Sequence, residues 1–325
     1  MTTRVSAGTG VIALDRPGAL NALDLTMVQL MTAALEEWRD DDAVRSVVVH
    51  STSPKAFCSG GDIRAVREAA LRGDDAAVLA YFSAEYALNA MIARYPKPYT
   101  ALIDGYAMGG GLGVSVHGSA RVVTERASLA MPETAIGFFP DIGASHFLPR
   151  LPGAVGWYLG LTGVRISGAA AVECGLATHY VPAADLPALE AALTGGGHPD
   201  PAALLDAFAT AAPPSPELSG HRAAVERCFG APDLAGVWER LADEAAAPSG
   251  AEWAAEALDA LRRASPASLA ITFELLRYGA GATLEQCLAH ELELARAIAR
   301  TPDFAEGVRA ALVDKDRTPI WETRR

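Results

Sequence analysis

Strand-like and helix-like stretches alternate through roughly the first 180 residues of this chain, and then the strand signals stop. Val11-Ile12-Ala13-Leu14 reads as a strand closed by a turn at Arg16-Pro17-Gly18. Asp24 is placed to cap a helix, because Met27, Leu30, Met31, Ala34, Leu35 and Trp38 recur behind it at helical spacing. Ser46-Val47-Val48-Val49-His50 is a β-branched run, the mark of a buried strand. Ala56 to Gly61 reads as a loop, with Asp62 available to cap the helix that follows. A long helix from about Ala76 to Ala93 carries Glu85 and is ended by Pro96 and Pro98. Tyr99 to Ile103 is a strand, Gly109 to His117 a glycine-rich turn entering a helix, and Arg121 to Thr124 a further strand. This alternation predicts an α/β architecture with mostly parallel strands.

From about Pro182 the chain changes character. Alanine, proline and glycine dominate through Gly195-Gly196-Gly197, Pro213-Pro214-Ser215-Pro216 and Ala245 to Gly250, with helical pieces at Ala223 to Phe229 and Leu234 to Ala246. A last helical block runs from about Pro266 to Val313, where Leu284, Leu288 and Leu292 mark an amphipathic helix. Three segments result: an α/β core over 1–182, a variable segment over 183–264 and a C-terminal helical region over 265–325.

Composition narrows the function classes. The 325 residues are 50% hydrophobic and 20% charged, which suits a soluble globular protein with a substantial core. A net charge of -12 argues against a nucleic-acid partner. Cys58, Cys174, Cys228 and Cys287 are widely spaced, so neither a disulfide framework nor a zinc site is indicated. No secretory leader and no apolar run of membrane-spanning length is read from the sequence, and the cytoplasm is the expected compartment. A GxGxxG after the first strand and a GxxxxGK[ST] motif are both missing, so the usual nucleotide signatures do not apply.

The residues best suited to chemistry lie in Met131-Pro132-Glu133-Thr134-Ala135-Ile136-Gly137-Phe138-Phe139-Pro140-Asp141-Ile142-Gly143, where two carboxylates sit in a mostly apolar run. Upstream stand Gly60-Gly61 and Gly109-Gly110-Gly111. Glycine-rich backbone can aim N–H groups at a developing oxyanion, and a nearby carboxylate can attack or activate water. Together they fit acyl-thioester chemistry. Structural readings compete at every position. The glycines also serve turns, Glu133 reads as a first-turn helix residue after Pro132, and Asp141 as the N-cap of a helix starting near Ile142. His117 and His146 are expected to be packed or hydrogen-bonded rather than bases. Adjacent Ser145-His146 is no triad, and Cys58 is expected to be a small apolar filler.

Lys55-Ala56-Phe57-Cys58-Ser59-Gly60-Gly61-Asp62-Ile63 and Gly109-Gly110-Gly111, with Leu20-Asn21-Ala22-Leu23 upstream, resemble the crotonase (enoyl-CoA hydratase/isomerase) superfamily. Further segments resemble its 3-hydroxyisobutyryl-CoA hydrolase branch: Glu85-Tyr86, Lys97-Pro98-Tyr99, Ser115-Val116-His117-Gly118, Phe147-Leu148-Pro149-Arg150-Leu151, Ala177-Thr178-His179, and Asp303 to Ala310 with Asp314-Lys315-Asp316. The likeness is weakest between about Pro182 and Ala264. It implies a crotonase-like spiral of ββα turns with helices at the C-terminal end. It also implies a bent acyl-CoA whose thioester carbonyl lies between the backbone N–H groups of Gly61 and Gly110.

By the same resemblance, Glu133 falls on the carboxylate shared by hydratases and hydrolases. Asp141 falls where hydratases usually have glycine and the hydrolase has aspartate. Gly113 stands where a hydratase carries its second catalytic glutamate. Glu85 falls at the substrate pocket with Gly110, Glu133 and Asp141, near the acyl hydroxyl, and Lys55 and Lys315 are candidates for the CoA phosphates. The implied reaction is hydrolysis of a short branched β-hydroxyacyl-CoA to free acid and CoA, in valine breakdown. Glu133 would be nucleophile or general base, while Asp141 would orient water or protonate the leaving thiolate. No metal or redox cofactor is implied. A homo-oligomer, the trimer of that family, is left open by the variable segment. An enoyl-CoA isomerase, needing one carboxylate base, and a non-catalytic acyl-CoA-binding protein are the alternatives.

Overall fold

The computed structural model describes residues 1–196, 200–247 and 252–322. Gly197, which ends the glycine run, and residues 248–250, which end the Ala245 to Gly250 stretch, lie outside the described residues. The chain packs as two compact units interleaved in sequence.

The first unit comprises Met1–Asp62, Ala84–Leu129 and Ile166–Ser215. Its larger sheet has the order β1 (Thr2–Ser6), β2 (Thr9–Leu14), β3 (Ser46–Ser51), β5 (Tyr99–Ile103), β7 (Ala120–Val123), β10 (His179–Tyr180). β1 and β2 form an antiparallel hairpin, and every later pairing in this sheet is parallel. The central strands read as unbroken apolar runs because a parallel sheet is covered on both faces. Val48, Leu102, Val122, Val181, Leu189 and Leu205 share one buried cluster there. The helix Leu25–Arg39 starts at the expected cap, with Asp24 Oδ1 accepting from the Met27 N–H at 2.8 Å. A second sheet runs β4 (Ala56–Cys58), β6 (Tyr106–Met108), β8 (Ser128–Ala130), β9 (Ile166–Ser167).

Two elements depart from the sequence reading. β1 is exposed along most of its length and has no apolar face to announce it; it exists as the edge partner of β2. Ala56 to Cys58, read as loop, is a buried strand parallel to β6. Three residues are too few to display a strand period.

The second unit comprises Ile63–Ser83, Ala130–Arg165 and Pro216–Arg325 and is helical. The final block is cut into separate helices by local chemistry. Ser265 caps Pro266–Gly279, a capping box of Thr283 and Gln286 starts Leu284–Ile298, and Thr301 caps Pro302–Val308. The helix Asp75–Ala93 runs through both units. By length and mean hydropathy, 1.3, it would qualify as a membrane span, contrary to the sequence reading. Its Val78, Phe82, Tyr86, Leu88 and Ile92 are buried in protein, as in a core helix.

Candidate active site

The glycine cluster lies within the first unit. β4 leads into Gly60, whose φ of +108° is open to glycine and strained for other residues. The loop is pinned from below by Asn21, itself fully buried. Asn21 Nδ2 donates to the carbonyl of Phe57 at 3.0 Å, and its Oδ1 accepts from the Arg16 N–H at 2.7 Å. The Gly60 carbonyl accepts from the Leu23 N–H, the Asp62 N–H donates to the Leu23 carbonyl, and the Asp62 carboxylate pairs with Arg16 at 2.8 Å.

Facing that loop is the short helix Gly110–Gly113, entered through Gly109 at φ 46° and ψ -120°. Gly110 is its first residue, so its N–H has no acceptor inside the helix. A Cβ at Gly110 would sit 2.4 Å from Glu85 Oε1 and 3.1 Å from the Gly61 nitrogen. Gly61, Gly110 and the buried Glu85 therefore meet, and only glycine fits between the other two. Ser115 Oγ, donating toward the Gly111 carbonyl at 2.9 Å, and Tyr99 Oη, donating to the Val114 carbonyl at 2.8 Å, hold this helix in place.

The two candidate carboxylates lie within the second unit. Glu133 opens a 3-10 turn, Glu133–Ile136, and is 6% exposed. The turn is clamped from the C-terminal helices. The Ser265 N–H donates to the Thr134 carbonyl at 3.1 Å, and Gly137, at φ 70°, leaves only 2.3 Å between an added Cβ and the Asp303 carbonyl oxygen. Phe138 stacks on Phe139 and packs on Phe304, lining the turn with apolar surface. Asp141, also 6% exposed, begins a tight turn in which its carbonyl accepts from the Ala144 N–H at 2.9 Å. Ile142 and Gly143 both have positive φ there, 58° and 83°. The helix that follows is Ala144–Phe147, and its N-cap is Gly143. Asp141 is thus not that helix's cap, and the structural reading that competed for it falls.

Sequence reasoning passed over Glu291, at 0% exposure in the helix Leu284–Ile298. Its carboxylate accepts from the Gly143 N–H at 2.7 Å, the Ser145 N–H at 3.1 Å and Ser145 Oγ at 2.5 Å. Burial pushes its pKa up to about 8; the three donors pull it down, and the Asp141 charge adds to the rise. The available signal was a charge on the buried face of a periodic helix, beside Leu288 and Ala295.

The remaining candidates are ordinary. The Cys58 thiol is pushed up to about 12, first by burial and further by Glu85, so it stays protonated and inert. Burial lowers the His146 pKa, and His117 is half-buried. Lys55 and Lys315 are exposed. Among the described residues no cluster of His, Cys, Asp and Glu is arranged to hold a metal.

Comparison with known proteins identifies the family and the fold. Residues 9–325 match the family model described as Enoyl-CoA hydratase/isomerase. The chain is 43% identical to the mitochondrial 3-hydroxyisobutyryl-CoA hydrolase of Xenopus tropicalis, with 96% of this chain and 81% of that protein aligned. It is 40% identical to the Homo sapiens protein of the same name, over 97% and 82%. Among solved structures, a carnitinyl-CoA dehydratase from Mycobacterium thermoresistibile superposes with a TM-score of 0.92 at 37% identity, covering 100% of this chain and 92% of that one. An enoyl-CoA hydratase from Rhodobacter sphaeroides 2.4.1 gives 0.89 at 41%, covering 99% and 91%. The crotonase-like fold expected from the motifs is confirmed.

The expected cytoplasmic location does not stand, because the Xenopus, human and Rattus norvegicus relatives are named as mitochondrial. A reading for secretory signals does not bear on this, since mitochondrial transit peptides are amphipathic and read differently.

Proposed function

We propose that this chain, which belongs to the enoyl-CoA hydratase/isomerase family, hydrolyses 3-hydroxyisobutyryl-CoA to 3-hydroxyisobutyrate and CoA. The observation that carries this is that Glu133 and Asp141 are both buried carboxylates while position 113 holds glycine. Hydration of a double bond in this family commonly uses two carboxylates around one water, the second just after the glycine triplet. Gly113 holds no proton and is buried in the helix Gly110–Gly113. Relatives named 3-hydroxyisobutyryl-CoA hydrolase, at 40–43% identity over nearly the whole chain, support the same substrate.

In the proposed mechanism the N–H groups of Gly61 and Gly110 receive the thioester oxygen as it gains charge, a contribution of about 100-fold or more per donor. Glu133 attacks the carbonyl carbon to give an anhydride that water opens, or takes a proton from water attacking directly. Both routes break the C–S bond and end in a carboxylic acid and a thiol. Asp141 orients the water or protonates the leaving thiolate. Glu85, against Gly110, recognises the hydroxyl of the acyl group. Neither route needs a metal or redox cofactor, and the reaction belongs in valine breakdown.

A second reading, hydration or dehydration of an acyl-CoA, has in its favour that the two solved relatives are named as a dehydratase and a hydratase. Gly113 speaks against it. Glu133→Gln tests the hydrolase reading. Thiol release from 3-hydroxyisobutyryl-CoA should fall by at least about 100-fold, the usual scale for a base or nucleophile. Retention of more than about a tenth of wild-type kcat would remove Glu133 from the mechanism.

A further inference from the structure

The turn that carries Asp141 does not hold its shape by itself. Ile142 is β-branched and sits at φ 58°, a conformation such residues avoid. Strain of this kind persists only where surrounding structure over-determines it. The hydrogen bond from the Ala144 N–H to the Asp141 carbonyl closes the turn but is equally open to a relaxed form. The constraint comes instead from the helix Leu284–Ile298, far along the chain. Glu291 Oε2 takes the Gly143 N–H at 2.7 Å, and Oε1 takes both the N–H and the hydroxyl of Ser145, at 3.1 and 2.5 Å. Three donors from one turn converge on one fully buried carboxylate, and no cation is paired with it among the described residues. A buried carboxyl group placed this way fixes the exit of the turn, and with it the entry, where Asp141 stands.

We infer that Glu291 is a positioning residue for the reaction, acting through Asp141 by locking the turn 141–145. Its carboxylate does not touch substrate. The inference rests on the reading of Asp141 as an acting group, and the test separates the two. Glutamine at 291 keeps the volume but offers one acceptor oxygen to three donors and turns an N–H₂ toward one of them. A misplacement on the order of 1 Å in a reacting group costs about 100-fold.

The experiment measures kcat and KM for thiol release from 3-hydroxyisobutyryl-CoA, per folded protein, for wild type, Glu291→Gln, Asp141→Asn and the double variant. Ser145→Ala, which removes only the hydroxyl donor, stands in should Glu291→Gln fold poorly. Glu291→Gln is expected to lose about 30- to 100-fold in kcat with KM within about threefold, and Ser145→Ala about three- to tenfold in kcat. In the Asp141→Asn background neither change should cost more than about twofold, because coupled residues are not additive. A general structural defect would instead cost as much in both backgrounds. Full kcat in folded Glu291→Gln, or an undiminished loss on top of Asp141→Asn, would overturn the inference. Wild-type kcat in Asp141→Asn with a slow Glu291→Gln would show that the reading of Asp141 itself had failed.

Discussion

The glycine cluster of the first unit and the carboxylate turn of the second are built by opposite means. The glycine cluster is made from backbone that approaches backbone: Gly61, Gly110 and Glu85 meet because there is no Cβ at 110. The carboxylate turn is made from side chains held in place by distant ones. Ser265, Asp303 and Glu291 clamp a segment that precedes them by more than a hundred residues, as the hydrogen bonds from Gly143 and Ser145 to Glu291 show. The first kind of construction fails by collision and the second by loosening.

The largest effect expected from that difference is at Gly110. An alanine there keeps the N–H but drives its Cβ to 2.4 Å from Glu85 Oε1. Displacing the loop and helix start should lower kcat/KM for 3-hydroxyisobutyryl-CoA by about 100-fold, the scale of one oxyanion donor. Glu85→Ala in the same chain relieves the collision and should recover thermal stability lost in Gly110→Ala, though not activity, since Glu85 is itself assigned to the acyl hydroxyl. A Gly110→Ala protein within about threefold of wild type would break the claim that this cluster is set by close approach.

The carboxylate turn should show its long-range clamp in its response to pH. The Glu291 pKa is raised from 4.5 to about 8 in the folded protein. The folded state therefore binds its proton more tightly than the unfolded chain does. The contribution of that proton is fully present below about 4.5 and is lost as pH rises through about 8. The groups around it are Asp141, whose charge adds to the rise, and the Cys287 thiol, which burial keeps neutral. Thermal melts of wild type and Glu291→Gln from pH 5 to pH 8.5 should converge as pH rises, on the order of a few kcal/mol across the range. Parallel curves would mean that Glu291 does not titrate in the folded protein.

The smallest effect is expected at Cys58, which lies beside the glycine loop yet has a buried thiol with a pKa near 12. Cys58→Ala should leave kcat within about twofold, and native protein should resist alkylation at this position. Rapid labelling of Cys58 would mean that the loop opens far more than its packing implies.

What the sequence revealed follows the same division. Gly60, Gly61 and Gly110 were legible because a glycine cluster advertises a conformational need in the residues themselves. Asp24 was legible as a cap because the helical period begins directly behind it. Glu133 and Asp141 stood out as carboxylates in an apolar run, although only their surroundings in the fold separate acting groups from helix-end residues. Glu291 was not legible as a partner of residue 143, since nothing local ties positions so far apart. Asn21 was visible within a motif but not as the pin beneath β4, whose three residues carry too little pattern to read as a strand. The compartment was not legible because the absence of a secretory signal says nothing of mitochondrial targeting, and the relatives named mitochondrial overturn the cytoplasmic expectation.

Hydrolysis itself is tested most directly by offering wild-type protein two substrates side by side. Thiol release from 3-hydroxyisobutyryl-CoA is followed with a thiol-reactive dye, and crotonyl-CoA is followed by its ultraviolet absorbance. The carboxylate pair with Gly113 predicts rapid thiol release from the hydroxyacyl thioester and an unchanged crotonyl band. Loss of the crotonyl band without thiol release would contradict it, and would make Glu133 a hydratase base working without a partner at position 113.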